Sequence, residues 1–343
     1  MAGGAGWWLR RIVVVVVVVV AGVSAGDVCR SAVLSVLTYN VLQAEEAFAD
    51  GWGCPAEIAR RDGLVAGGGV SRREAEARLS RERFRRLSRF LDGVRGSVSV
   101  MALQEVDALS PSLLDVFVAE RGPWRVACTA VLGTETTVLL VDVSVARPTA
   151  SGTVPVGCSC YATVDVVGGP TVTIVAVKLP SGPIRDPTRV EQTVSALLHA
   201  SPAASSSPSS AAIIMGDFNT HLPDLLPVVS RVAGDPTWHV ETARNRTRPM
   251  TTQNEANFIA AYDGVLLHGL TARSRAVVHQ TGFMPKYLGD GSAFAYADGP
   301  FPVISGDLLH GGVVLPGNRA NQSLSDHLAV RVDICLRPRL AIQ

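Results

Sequence analysis

Five short polar clusters stand where apolar runs end or begin. Asn40 closes Leu37-Thr38-Tyr39-Asn40, and Gln104-Glu105 closes the run from Val98 to Leu103. Gly216-Asp217-Phe218-Asn219 follows Ile213-Ile214-Met215, Tyr262-Asp263 precedes Gly264-Val265, and Ser325-Asp326-His327 opens the run into Leu328-Ala329-Val330. Singly, each has an ordinary reading: Asn40, Asp217 and Asn219 as turn residues, His327 as a satisfied core histidine. Together they read as a site, because a layered sheet brings its strand-end loops to one place. Four carboxylates in one pocket, Glu105, Asp217, Asp263 and Asp326, would repel and raise one another's pKa, and a divalent cation removes that conflict. The ligand set Asn40, Glu105 and Asp326 is all hard oxygen, which suits Mg²⁺ or Mn²⁺ rather than Zn²⁺. Mg²⁺ usually keeps waters and takes substrate phosphate oxygens, so the natural chemistry is attack of water at phosphorus. Asp217 and His327 suit the two remaining tasks, activating the water and neutralising charge on the equatorial oxygens.

The elements that must position these residues are strand-rich and alternate with helices. Apolar, Val- and Thr-rich runs predict strands over 32–38, 98–103, 136–143, 161–167, 171–179, 211–215, 265–267 and 327–335. Phe84, Leu87, Leu91 and Val94 recur at helical spacing within a predicted helix over 71–95, and a second helix is expected over 189–199, after Pro187. The first of these helices carries nine arginines and three glutamates. An RNA- or lipid-facing surface is one reading of that charge, and a solvated face with interspersed acids is the commoner one. The Gly- and Arg-rich stretch 50–69 reads as a long loop. Ser201 to Ser210 (SPAASSSPSS) reads as a low-complexity excursion within one domain rather than a boundary.

In this order, Asn40, Gln104-Glu105, Gly216-Asp217-Phe218-Asn219, Tyr262-Asp263 and Ser325-Asp326-His327 resemble the endonuclease/exonuclease/phosphatase superfamily (DNase I-like). The likeness runs from about Ala32 to Leu336. The sequences YNVLQ, LQEVD, Thr251-Thr252 and SDHLAV look most like its deadenylase/nocturnin/angel branch. The resemblance implies a four-layer α/β sandwich, two mixed β-sheets packed face to face with outer helices. It implies roles as well. Glu105 would be the principal metal ligand with Asn40 beside it, and Asp217 would align and activate the water. Asn219 would hold the scissile phosphate, and His327, oriented by Asp263, would donate to a phosphate oxygen. Asp326 would support the metal or the leaving-group side, with one or two metal positions in use. One position departs from the family pattern: Val177-Lys178-Leu179 stands where relatives commonly carry Thr-His-Leu. Lys178 is then a phosphate clamp, a sign of a different substrate, or a strand-end surface lysine.

Composition sets the remaining bounds. The chain has 343 residues, 47% hydrophobic and 18% charged, and its formal net charge is +1. This excludes intrinsic disorder and a globally basic nucleic-acid protein, but not a local phosphate site. Residues 1–25 read as a secretory signal peptide, with Arg10-Arg11, the run Val13–Val20 and Val23-Ser24-Ala25, or alternatively as an N-terminal anchor. The expected location is therefore the secretory pathway, secreted or lumenal. Membrane contact is expected only if residues 7–25 are retained. Sequons at Asn245 and Asn321 permit glycosylation there, and the six cysteines are expected to be paired or buried, with Cys158-Ser159-Cys160 alone weak evidence for metal. Residues 29–338 read as a single catalytic domain. The expected function is Mg²⁺-dependent hydrolysis of a phosphodiester, nucleic acid (RNA or DNA) first. A sphingomyelinase-type phospholipid or an inositol phosphate is the alternative substrate, and an inactive phosphate-binding protein is the second alternative.

Overall fold

In each central strand one parity of side chains faces a partner sheet and the other faces a helix layer, so nearly every position is apolar. In β1 (Val33–Asn40), Leu34 and Val36 point into the core shared by two sheets, while Leu37 and Tyr39 point to a second core beneath the helices. The same split recurs in β2 (Val100–Asp107), where Val100 and Ala102 face the shared core and Met101 and Leu103 the helices.

The structure is a computed structural model that describes residues 33–41, 43, 47–48, 55–107, 122–180, 187–200, 211–219, 222–235, 237–241, 263–278, 293–296, 299–302 and 329–336. The expected signal segment, the Ser201 loop, both sequons, Thr251-Thr252 and the pair Asp326-His327 lie outside them.

The helix α1 (Pro55–Ala66) and the long α2 (Arg72–Arg95) separate β1 from β2. There follow β3 (Trp124–Leu132), β4 (Glu135–Asp142), β5 (Ala146–Val154), β6 (Ser159–Val166) and β7 (Thr171–Lys178). Then come α3 (Pro187–Ala200), β8 (Ala211–Asp217), α4 (Leu222–Ala233), β9 (His239–Glu241), β10 (Asp263–His268) and β11 (Thr271–Val278). The short pair β12 (Ala293–Tyr296) and β13 (Gly299–Pro302) forms a ribbon, and β14 (Ala329–Cys335) is the last strand. Two mixed six-stranded sheets result, in the orders β11-β14-β1-β2-β4-β3 and β5-β6-β7-β8-β10-β9. Each has one parallel pair at its centre, β1 with β2 and β7 with β8, flanked by antiparallel strands.

The sheets meet face to face through Val36, Ala102, Leu139, Ile174, Met215 and their neighbours. Leu87 and Leu91 of α2 cover the outer face of the first sheet, and Val194, Leu197 and Val229 of α3 and α4 cover the second. This is the expected four-layer α/β sandwich. Cys128 of β3 and Cys160 of β6 are joined by a disulfide that ties one sheet to the other, Cys335 is also disulfide-bonded, and Cys158 is a buried free thiol. Among the described residues no helix is long and apolar enough to cross a membrane.

Three expectations need correction. The stretch 50–69 is not all loop, because Pro55–Ala66 forms α1. Its fully buried Glu57 is ion-paired with Arg60 and with Arg86 of α2, so charge pairing holds a helix that apolar periodicity does not announce. Two of the edge strands, β3 and β5, were not anticipated either. As sheet edges they are largely exposed, and β5 carries Pro148, which only an edge tolerates. The helix α4 was also missed, its Pro227 obscuring the helical pattern.

Candidate active site

Strands that run parallel end on the same side of their sheet. Asn40 and Glu105 therefore lie at or next to the C-terminal ends of β1 and β2, and Lys178 and Asp217 at those of β7 and β8. Parity decides which way three of these point. Asn40 shares the inward parity of Leu34 and Val36, Lys178 that of Ile174 and Ala176, and Asp217 that of Ile213 and Met215. Asp263, at the start of the antiparallel β10, is the register partner of Asp217 and shares the inward parity of Val265 and Leu267.

Glu105 has the wrong parity. Simple alternation would send it outward with Met101 and Leu103. The β2–β4 register shifts between Leu103 and Val106, and Glu105 takes a positive φ of 54°. This is a β-bulge, the device that re-aims a side chain next to a site, and it turns Glu105 toward Asn40 and Lys178. Asn219, in the turn after β8, is the other non-glycine residue with positive φ among the described residues, at 45°. Its backbone N–H donates to Asp217 Oδ1 at 2.9 Å and its side-chain Nδ2 to the Leu179 carbonyl at 2.6 Å, fixing that turn to β7. Gly216 lets the strands approach: a Cβ there would lie 2.0 Å from the Val177 carbonyl oxygen.

The polar side chains form a closed ring. Asn40 Nδ2 donates to Glu105 Oε1 at 2.7 Å and to Asp217 Oδ2 at 3.0 Å. Lys178 Nζ reaches the same two oxygens, at 2.6 Å and 2.8 Å. The orientation of the Asn40 amide follows from its neighbours, since its oxygen would meet two carboxylates. Asn40, Asp217 and Asp263 are fully buried, and Glu105, Lys178 and Asn219 nearly so. Burial pulls the Lys178 ammonium toward the neutral form, but the charges and hydrogen bonds of Asp217 and Glu105 outweigh it and hold its pKa well above the ordinary lysine value. The reading of Lys178 as a surface strand-end lysine is thereby overturned.

A further acid belongs to this neighbourhood and was not singled out from the sequence. Glu135, which opens β4, has its carboxyl pushed up by burial, held back by Lys178 and pushed up again by Glu105 and Asp217. Nothing in Gly133-Thr134-Glu135-Thr136 marks it; only the β3–β4 turn brings it near.

The helix layer reaches the site through Arg83. This buried α2 residue hydrogen-bonds the carbonyl of Val41, next to Asn40, and the Val41 N–H donates to the Gln104 carbonyl at 3.0 Å. Asn40, Glu105, Lys178, Asp217, Asn219 and Asp263 are thus brought to one end of the sandwich, while Asp326 and His327 lie outside the described residues. Among the described residues no group of three or more His, Cys, Asp or Glu is arranged to hold a metal. The two converging carboxylates, Glu105 and Asp217, are hard donors already directed at one cationic centre.

Compared by sequence, no protein family and no curated protein matches the chain. Compared by structure, the chain is similar to the catalytic domain of human nocturnin with bound sulfate, at 11% identity and TM-score 0.53 over 89% of this chain and 94% of that one. It is similar to TDP2 from C. elegans, at 12% identity and TM-score 0.52 over 88% and 75%. It also resembles an endonuclease/exonuclease/phosphatase from Bacteroides vulgatus, at 10% identity and TM-score 0.52 over 89% and 100%. The likeness is one of fold: the chain has the DNase I-like α/β sandwich.

Proposed function

We propose that this chain is a divalent-metal-dependent hydrolase of phosphoric esters, a phosphodiesterase that acts on nucleic acid with Mg²⁺, or Mn²⁺ in its place. The observation that carries the reading is the convergence of Asn40, Glu105, Lys178 and Asp217 from the two central parallel pairs onto one buried ring. A binding module has no use for several buried acids at one point, whereas water attack on a phosphoryl group needs a base and a cation together.

The donor set fits a hard divalent cation. Glu105 and Asp217 meet the Lys178 ammonium, Glu135 interacts electrostatically with all three, and Asp263 is the register partner of Asp217, so among the described residues acids outnumber the cation and leave negative charge for such an ion to balance. Glu105 and Asn40 would hold it, with Asp326 as the third residue of the set read from the sequence. Bound there, the ion would polarise a phosphoryl oxygen and stabilise charge on the transition state.

The protein groups do the rest. Asp217 is oriented by the Asn219 N–H, the Asn40 amide and the Lys178 ammonium, and takes the proton from the attacking water. Asn219 directs the second hydrogen of its amide to a phosphate oxygen. By the family resemblance, His327 would donate to another, with Asp263 setting its orientation. Support for nucleic acid comes from the resemblance of YNVLQ, LQEVD and SDHLAV to the deadenylase/nocturnin branch. The inter-sheet Cys128–Cys160 disulfide supports an oxidising location, secreted or lumenal, in keeping with the expected signal segment. The reading is tested with purified protein lacking residues 1–25 on single-stranded RNA, duplex DNA, sphingomyelin and inositol phosphates, with Mg²⁺ and then EDTA. Turnover of RNA or DNA that EDTA stops is the expected result. Turnover confined to the lipid or inositol phosphates would replace the substrate class, and no turnover of any would defeat the reading.

A further inference from the structure

Lys178 does more than neutralise one neighbour. Its Nζ and the Asn40 Nδ2 each bridge the same two oxygens, Glu105 Oε1 and Asp217 Oδ2, while Asp217 Oδ1 accepts from the Asn219 N–H. The oxygens that face the centre of the ring are therefore already spanned by two donors, one of them a full positive charge. The strand register enforces this: Lys178 and Asp217 are Cα partners in the β7–β8 pair, and the lysine side chain is only 6% exposed. A lysine stem buried to that degree cannot carry its ammonium into solvent without opening the sheet end.

We propose that Lys178 is a tethered cation that holds the Glu105 and Asp217 carboxylates together in the metal-free protein, so that a divalent ion binds by displacing the ammonium rather than by filling an open site. Two consequences follow. The site is assembled before any metal arrives, and metal affinity is set low by competition with a charge that never leaves the neighbourhood. A neutral side chain at this position would leave the two acids in mutual repulsion and make the site depend on the metal for its assembly.

The inference rests on the metal-dependent reading above, and its test separates the two. Binding of Mn²⁺ is measured from the loss of the free-ion electron paramagnetic resonance signal, with wild type, Lys178→Met and Lys178→His as full-length proteins. Both variants are expected to bind Mn²⁺ at least ~10-fold more tightly, a modest share of what removing a like charge ~4 Å away can give. They are also expected to melt at lower temperature in EDTA and to regain stability with Mn²⁺. Wild type is expected to show no change in melting temperature between EDTA and micromolar Mn²⁺, a measurement that needs no variant to fold. Equal or weaker Mn²⁺ binding by a folded variant, or a large Mn²⁺-induced rise in the wild-type melting temperature, would overturn the tethered-cation role and leave the metal site standing. Absence of Mn²⁺ binding in wild type and both variants would overturn the metal-dependent reading, and this inference with it.

Discussion

Lys178 and Asp217 are partners twice over: their Cα atoms are opposed in the parallel β7–β8 register, and their side chains meet at 2.8 Å. Backbone pairing and charge pairing thus specify the same juxtaposition. A one-residue slip of β7 against β8 would turn Lys178 to the helix layer and away from Asp217, which makes the sheet register itself part of the site.

The close approach of β7 to β8 depends on Gly216. A Cβ at this position would stand 2.0 Å from the Val177 carbonyl oxygen. Gly216→Ala is expected to destabilise the fold by about 1–3 kcal/mol, as forced overpacking does, and to lower activity further by separating Lys178 from Asp217. Urea unfolding and initial rates on the folded fraction check the two effects.

The disulfide between Cys128 and Cys160 closes a separation of 32 residues and links the two sheets. Replacing both cysteines by alanine is expected to reduce stability by about 2–4 kcal/mol, chiefly through the freer unfolded chain. Cys158, buried between the sheets, is expected to resist alkylation in the native protein and to react once urea unfolds it. Denaturation curves with and without reductant, followed by mass spectrometry of the alkylated chain, measure both.

A pH effect is expected away from the site. Burial pushes the Asp235 carboxyl up, but the Thr237 N–H at 2.8 Å and His268 Nε2 at 2.7 Å outweigh it and hold its pKa below the ordinary aspartate value. A depressed folded-state pKa gives stability that is fully present above the unfolded value of about 3.9 and lost as pH falls through the folded one. With this side chain 30% exposed, the contribution is at most about 1 kcal/mol. Wild type is expected to exceed Asp235→Asn in urea stability at about pH 6, with the gap closing near pH 2.

The fold was legible because its central strands are unbroken apolar runs that end in polar residues, and Asn40, Asp217 and Asp263 follow the parity of those runs into the site. Glu105 was legible by position but not by direction, because the bulge that turns it has no glycine to announce it and reverses what alternation gives. Lys178 stood out as a departure from a family pattern, yet nothing local indicates its burial; lysine is rarely buried unless paired, and its partners lie 73 and 39 positions away in sequence. Glu135 and the edge strand β5 escaped notice because their placement depends on neighbours in space and their own sequences carry little apolar signal, whereas β3 is apolar but a register shift between Val126 and Cys128 breaks its alternation.

The central claim is that the buried ring hydrolyses a phosphoric ester with Asp217 as the base. Its most direct test is the initial rate on an activated aryl phosphodiester with Mg²⁺, comparing wild type with Asp217→Asn, which keeps the shape and removes the base. Wild type is expected to turn over and to stop on adding EDTA, and Asp217→Asn to lose at least ~100-fold in rate. Equal rates for the two proteins, or a wild-type rate indifferent to EDTA, would contradict it.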